Sequence, residues 1–136
     1  MFLVTGATGF VGRAVVQALL GNGQNVAGVK RKSQTTPLDA RLNWHFVNSI
    51  DGSTEWEAAR AGVTTAIHCA ARVHVKEGLS GDSLAAYREI NVASSLRLDQ
   101  GAAAAGVKRI LFLSSIGVNG NHSQCAIIKD DESTPP

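Results

Sequence analysis

The sequence has few cysteines, no export signal and no long apolar run. Its two cysteines, Cys69 and Cys125, form neither a CxxC pair nor a disulfide framework, which argues against a disulfide-stabilised scaffold. The apolar runs, such as residues 110–113, are far shorter than the about 20 residues that cross a bilayer. The N-terminus lacks a basic segment and a cleavage site. We therefore expect a protein of the reducing cytoplasm, without a membrane span.

Charge and potential metal ligands are also sparse. The 13 basic and 11 acidic residues leave a net charge of +2, too small for the electrostatic field that nucleic acids or anionic membranes require. The four histidines, at positions 45, 68, 74 and 122, have no ligand-like spacing, so we expect no metal site. Apolar residues make up 44% of the chain and charged residues 18%, which predicts a folded domain.

Short apolar runs alternate with amphipathic runs. The helical spacing of apolar residues, each time followed by glycine, predicts helices over Phe10–Leu20 and Ser83–Ala105. The predicted buried strands are Phe2–Thr5, Asn25–Val29, Leu42–Val47, Val63–Cys69 and Arg109–Ser114. Strands separated by helices form right-handed crossovers, so the predicted fold is α/β, a doubly wound parallel sheet with flanking helices. A ligand site is expected at the carboxyl ends of the strands.

The predicted domain covers residues 1–116. From residue 117 to residue 136 the sequence is polar and aperiodic, and it ends in Pro135-Pro136. This composition predicts an irregular loop.

A glycine-rich segment, TGATGFVG, joins the first predicted strand to the first helix. Gly6 permits a tight turn, Gly9 permits close approach of a pyrophosphate, and Gly12 lets the helix pack against the strand. The free N–H groups and the dipole of the helix N-terminus favour an anion there. The segment therefore predicts a dinucleotide site. Its residues are Gly6, Ala7, Thr8, Gly9, Phe10, Val11 and Gly12.

Three further segments follow along the chain: IHCAA at residues 67–71, Asn91-Val92, and FLSS at residues 112–115. With the GxxGxxG spacing, the chain resembles the extended short-chain dehydrogenase/reductase family, in particular its NAD-dependent epimerase/dehydratase members of the UDP-galactose 4-epimerase kind. The resemblance covers essentially the whole chain and implies a Rossmann-type domain. It also implies that Ala70, Ala71 and Asn91 join the cofactor site, although Asn91 can equally be a core amide that hydrogen-bonds the backbone.

The resemblance leaves the choice between NAD and NADP open. In NAD-using relatives an acidic residue ends the second strand, whereas here Lys30 holds that position and Arg31 follows. A basic residue there pairs with the 2′-phosphate of NADP or is simply a solvated cation. Ser49 and Ile50, after the third strand, are expected near the adenine by the same resemblance. Relatives usually carry an aspartate there, so Asp51, two residues after Ser49, is the alternative to Ser49.

The resemblance implies that Ser115 hydrogen-bonds the sugar hydroxyl that is oxidised. The proton acceptor in such relatives is the tyrosine of a YxxxK motif, which the 136 residues lack: the single tyrosine, Tyr87, has no lysine four residues later. We therefore expect the chain alone to be inactive. Ser115 also has a simpler interpretation, as a small polar residue that ends a buried strand.

The implied reaction is epimerisation of a nucleotide sugar, in which a hydride passes to the cofactor and returns to the other face. Residues 116–117 are Ile-Gly, where dehydratases of the family carry Asp-Glu, which argues against elimination of water. The open alternatives are an NAD(P)-dependent sugar reductase or dehydratase and a non-catalytic dinucleotide-binding or regulatory module. The resemblance further suggests a homodimer formed through residues 83–105.

Overall fold

The computed structural model describes residues 1–34, 39–56, 61–73 and 83–115. Its strands are β1 (Phe2–Thr5), β2 (Val26–Arg31), β3 (Asn43–Val47), β4 (Thr65–His68) and β5 (Arg109–Phe112). Its helices are α1 (Phe10–Gly21), α2 (Ser83–Arg88) and α3 (Ser94–Ala104), and a π-helical segment, Glu89–Ala93, joins α2 to α3. Within these ranges no helix is both long enough and apolar enough to traverse a lipid bilayer.

The five strands form one parallel sheet in the order β3-β2-β1-β4-β5. The central strand β1 pairs on one side with β2, where Phe2 lies opposite Val26, and on the other side with β4, where Phe2 lies opposite Thr65. The chain thus runs outward from β1 to β3 and then returns past β1 to β4. This reversal opens a crevice at the carboxyl ends of the strands.

The sheet separates two apolar clusters, because successive side chains of a strand point to opposite faces. On one face Leu3 of β1 packs with Trp56 and with Leu98 of α3. On the other face Val4 packs with Val16 of α1 and with Ile67 of β4. Helices therefore cover both faces, and the predicted α/β class is confirmed.

Several predicted element boundaries differ from those in the structure. Strand β2 extends to Arg31, beyond the predicted end at Val29, because Lys30 and Arg31 continue the backbone pairing with Phe46 and Val47. Because the hydrogen bonds between strands join backbone atoms, polar side chains do not by themselves end a strand. Strands β4 and β5 are shorter than predicted. Residues 117–136, predicted as a loop, lie outside the described residues.

The predicted helix over Ser83–Ala105 is present but not uniform. It changes to π-helical geometry over Glu89–Ala93 and returns to α-helix at Ser94. The hydroxyls of Ser94 and Ser95 donate to the carbonyl oxygens of Ile90 and Asn91, one turn earlier. Such side-chain hydrogen bonds compete with the backbone hydrogen bonds of the helix at the π-helical segment.

Candidate functional site

The glycine-rich loop is a tight turn between β1 and α1. Gly6 has φ 66°, and a side chain at Gly6 would bring its Cβ within 2.8 Å of the Ala70 nitrogen. The Gly9 amide donates to the Gly6 carbonyl oxygen at 2.8 Å. Both the left-handed backbone and the close approach require glycine at position 6. The loop is thereby pressed against the end of β4.

Helix α1 starts directly on this loop. A Cβ at Gly12 would lie 2.0 Å from the Gly6 carbonyl oxygen, so the first turn of the helix can pack there only without a side chain. No side chain caps the N-terminus at Gly9, and the first turn, which lies wholly within the described residues, holds no acidic residue. The first-turn N–H groups and the positive end of the helix dipole therefore favour an anion.

A cleft of about 330 Å³ opens beside the loop, at the carboxyl ends of the strands. The β2 and β3 side contributes Val29, Arg31, Gln34 and Ile50, and the β4 side contributes residues 69–73. Gly6, Thr8, Gly9 and Ile90 complete the lining. The cleft is therefore built around the point where the sheet order reverses, as expected for a dinucleotide.

The described lining of this cleft carries two arginines, Arg31 and Arg72, and no aspartate or glutamate. The Arg72 guanidinium lies over Tyr87, with its central carbon 5.3 Å from the ring centroid. Its Nε is buried and has no hydrogen-bond partner in the part of the chain that the structure describes. A buried donor without an acceptor is costly, so the wall of the cleft is suited to an anionic ligand.

A buried polar chain lies below the cleft. Thr5 Oγ1 and His68 Nδ1 share a hydrogen bond of 2.6 Å, and the Ala70 amide donates to the same Thr5 hydroxyl at 3.3 Å. Burial lowers the pKa of His68 and raises the pKa of the Cys69 thiol. Because the neutral forms are favoured, these residues add no charge to the cleft at neutral pH.

The π-helical segment fastens two of the loops that form the cleft. The Asn91 side chain accepts a hydrogen bond from the Arg72 amide at 2.7 Å and donates to the Arg72 carbonyl oxygen at 3.0 Å. Glu89 Oε1 accepts from the Gly52 amide at 2.9 Å, in the loop after β3. One segment thus holds the β3 side and the β4 side together.

The structure brings together about half of the site residues that were predicted from the sequence. Those that line the cleft are Gly6, Thr8, Gly9, Arg31, Ile50, Ala70 and Ala71. Ala7 is buried beneath the loop, Gly12 packs against it, and Lys30 is buried within β2. Outside the lining are also Phe10, Val11, Ser49, Asn91 and Ser115. Asn91 reaches the site through Arg72, and Ser115 is exposed beyond β5.

Sequence analysis missed Arg72, Gln34 and Glu89. Arg72 directly follows the segment at residues 67–71, which was the available signal. Gln34 and Glu89 follow no pattern, because the contacts that join them to the site, with Thr8 and Gly52, are made with residues far away in the sequence. Within the described ranges no group of three or more His, Cys, Asp or Glu side chains is arranged to hold a metal ion.

Comparison with known proteins gives a consistent result. A model of the family described as "NAD dependent epimerase/dehydratase family" matches residues 2–136. A Vibrio cholerae protein named UDP-glucose 4-epimerase is 35% identical over 135 residues, which are 98% of this chain and 40% of that protein. A Methylococcus capsulatus protein named sterol demethylase protein B is 34% identical, with 91% of this chain and 37% of that protein covered.

Among solved structures, the UDP-glucose 4-epimerase of Thermus thermophilus in complex with NAD is similar, with a TM-score of 0.81 and 25% identity. The match covers 99% of this chain and 44% of that one. The chain thus spans about two fifths of the length of the relatives that it matches.

Proposed function

The chain belongs to the NAD dependent epimerase/dehydratase family, and on that basis we propose that it is the cofactor-binding part of a nucleotide-sugar 4-epimerase. The observation that carries the proposal is the cleft at the reversal of the sheet order, which the glycine-rich loop and the N-terminus of α1 border. Such a site binds the pyrophosphate of a dinucleotide. NAD is the cofactor of this family.

The sheet order supports placing the two halves of the cofactor at opposite ends of the cleft. The adenosine half belongs on the β2 and β3 side, where Ile50 supplies apolar surface, and the nicotinamide half on the β4 and β5 side. NAD, when bound, supplies the hydride acceptor. Arg72, Asn91 and the loop at Ala70 and Ala71 then orient it and exclude water from that end.

Ser115 is proposed as the residue that hydrogen-bonds the reacting sugar hydroxyl. It follows β5 by three residues and lies at the same edge of the sheet as the proposed nicotinamide end. The 136 residues contain no YxxxK tyrosine to accept the proton. We therefore propose that this chain alone binds cofactor without turnover, and that the full-length protein epimerises in the cytoplasm.

The test uses the full-length protein with UDP-glucose and UDP-galactose, and two variants that receive the same substitution. Gly9→Asp places a carboxylate where the pyrophosphate binds, so we expect about a hundredfold weaker NAD binding and a matching loss of epimerisation. Gly21→Asp is the control, since a side chain there meets nothing within 4 Å. Calorimetry measures binding, and chromatography of the UDP-sugars measures turnover.

The resemblance to sterol demethylase protein B, and to a Mycolicibacterium neoaurum protein named 3-beta-hydroxysteroid dehydrogenase that is 30% identical over 137 residues, supports a second candidate, net oxidation of a sterol hydroxyl. An epimerase returns its hydride and accumulates no reduced cofactor, whereas a dehydrogenase accumulates it in proportion to product. Accumulation of NADH with a sterol alcohol, without UDP-sugar conversion, would replace the epimerase proposal. Cofactor binding with neither reaction would favour the non-catalytic module.

A further inference from the structure

We propose that Arg72 binds a carboxylate on the sugar of the substrate, so that this protein acts on nucleotide-linked uronic acids in preference to neutral nucleotide sugars. The inference rests on the proposed function, since it requires that a nucleotide sugar reacts at the β4 and β5 side of the cleft. It adds the residue that selects among such substrates and the chemical group that this residue selects.

The guanidinium of Arg72 is held in place and has no acceptor of its own. The Asn91 side chain fixes the backbone of Arg72 through both its amide and its carbonyl oxygen, and the guanidinium lies over the ring of Tyr87. The guanidinium makes no hydrogen bond or ion pair with the described residues. Because the side chain is already ordered, it loses little conformational freedom when an anion binds.

Neither the described lining of the cleft nor the nicotinamide end of the cofactor supplies an anion to Arg72. The described lining contains no aspartate or glutamate. The negative charge of NAD lies on its pyrophosphate, which belongs at the glycine-rich loop and the N-terminus of α1. The oxidised nicotinamide ring is itself cationic. An anion that the substrate brings is therefore the partner that suits this guanidinium.

The register of the sheet supports a position for Arg72 beside the reacting hydroxyl. His68 of β4 lies opposite Phe112 of β5, and the Leu113 amide continues this pairing by donating to the His68 carbonyl oxygen at 3.2 Å. Arg72 follows His68 by four residues. Ser115, the residue proposed to hydrogen-bond the reacting hydroxyl, follows Phe112 by three. Both residues thus leave the same edge of the sheet from neighbouring strands, so we expect Arg72 to meet a substituent close to that hydroxyl.

The chemistry of the sugar identifies this substituent. In a 4-epimerase the ring carbon next to the reacting one bears the exocyclic carbon, which is a hydroxymethyl group in glucose and a carboxylate in glucuronic acid. The diphosphate is attached to the anomeric carbon, across the ring. Proximity to the reacting carbon therefore favours the exocyclic group over the diphosphate. The planar donors of a guanidinium form paired, charge-assisted hydrogen bonds with a carboxylate and only weaker single ones with a hydroxyl.

The experiment compares UDP-glucuronate with UDP-glucose as substrates of the full-length protein, for the wild type, Arg72→Ala, Arg72→Lys and Arg97→Ala. We expect the wild type to have about tenfold higher kcat/KM for UDP-glucuronate. Arg72→Ala should lower that value about ten- to a hundredfold, mainly through KM, and should leave kcat/KM for UDP-glucose within about threefold. Arg72→Lys keeps the charge and should recover part of the loss. Arg97 is exposed on α3, outside the described lining, so Arg97→Ala should change neither value by more than about threefold.

Calorimetry with NAD and circular dichroism accompany the kinetics, since a loss of cofactor binding or of folding would also lower turnover. A wild type that prefers UDP-glucose would overturn the inference and leave the proposed function intact, and this result needs no variant. A folded Arg72→Ala that loses both substrates equally, or that loses NAD affinity, would likewise overturn it, because the guanidinium would then hold the diphosphate or the cofactor. A folded wild type that binds NAD and epimerises neither UDP-sugar would instead overturn the proposed function and the inference with it.

Discussion

Thr5, His68 and Ala70 connect β1 to β4 just below the cleft, and the histidine among them makes stability depend on pH. Burial lowers the pKa of His68 from its usual value of 6.5, because the charged imidazolium is poorly solvated there. Its Nε2 is also buried, with no partner among the residues that the structure describes. The folded protein therefore keeps this ring neutral at pH values where the unfolded chain already binds a proton.

The contribution of His68 to the free energy of unfolding should be fully present above about pH 7 and should be lost as the pH drops through about 6.5, towards the lowered pKa of the folded state. The slope contributed by one histidine is at most about 1.4 kcal/mol per pH unit. Urea unfolding of the wild type and of His68→Asn at several pH values measures it. The variant should lose this slope, and His45→Asn, on β3, should retain it.

Should His68→Asn fail to fold, NMR titration of the wild-type imidazole gives the same answer. A His68 pKa at or above its usual value would contradict the prediction.

Single residues with a conformational or steric requirement could be predicted from the sequence, whereas residues placed by distant contacts could not. Gly6 borders the cleft, and its positive φ and its close approach to Ala70 both demand glycine at that position. Lys30 and Arg31 look equivalent in sequence, yet only Arg31 lines the cleft. Because successive side chains of β2 point to opposite faces of the sheet, only one of these two neighbours lines the cleft. Which one does so depends on the residue at which the strand ends.

Among the elements, the π-helical segment has the most direct bearing on the site. It presents Glu89 to the loop after β3 and Asn91 to the loop after β4. Gly52 has little room beside it, since a Cβ there would lie 3.1 Å from Glu89 Oε1. We expect this segment to preserve the width of the cleft before the cofactor binds.

Glu89→Ala should remove the acceptor for the Gly52 amide and loosen the loop that carries Ile50. Such a hydrogen bond contributes about 1 kcal/mol, so NAD affinity should fall about fivefold. Glu89→Gln retains an acceptor oxygen and should restore most of the affinity. Calorimetry measures the binding, and hydrogen exchange of residues 49–54 measures the loosening.

Glu55→Ala provides the control for removal of a carboxylate near the same loop. Equal affinities of the Ala and Gln variants of Glu89 would show that the hydrogen bond has no part in cofactor binding.

Element prediction succeeded where periodicity was sufficient and failed at the break in the helix. Apolar spacing predicted that the five described strands and the long helix exist, and in which order they follow one another along the chain. The change at Glu89 was not predicted, because one wider turn barely alters the apolar spacing. Only the contacts of Glu89 with Gly52 and of Asn91 with Arg72, 19 residues away, reveal it.

At the scale of the whole molecule, an apolar groove runs along α2, the π-helical segment and α3. Leu84, Val92 and Leu96 border it with 60%, 52% and 54% of their surface exposed. Arg88 and Glu89 line the same groove. Because a two-fold axis brings the same patch of two copies together, these opposite charges suit a second copy of the chain.

We therefore propose a homodimer through this groove and expect Leu96→Arg to shift the mass in solution from dimer to monomer. Light scattering during size-exclusion chromatography measures it. Phe46→Arg, at an exposed apolar residue of β3 on the other edge of the sheet, should leave the mass unchanged. A monomeric wild type at micromolar concentration would contradict the proposal.

The central position of β1 has a consequence during synthesis. β1 is translated first among the strands, yet its partner β4 begins 63 residues after it, with Thr65 opposite Phe2. At about 5–20 residues per second, the ribosome takes several seconds to supply that partner. Until then the edge of β1 that pairs with β4 keeps its backbone N–H and C=O groups unpaired in the nascent chain. Synonymous codons that slow elongation between β1 and β4 would prolong the exposure without altering a single amino acid.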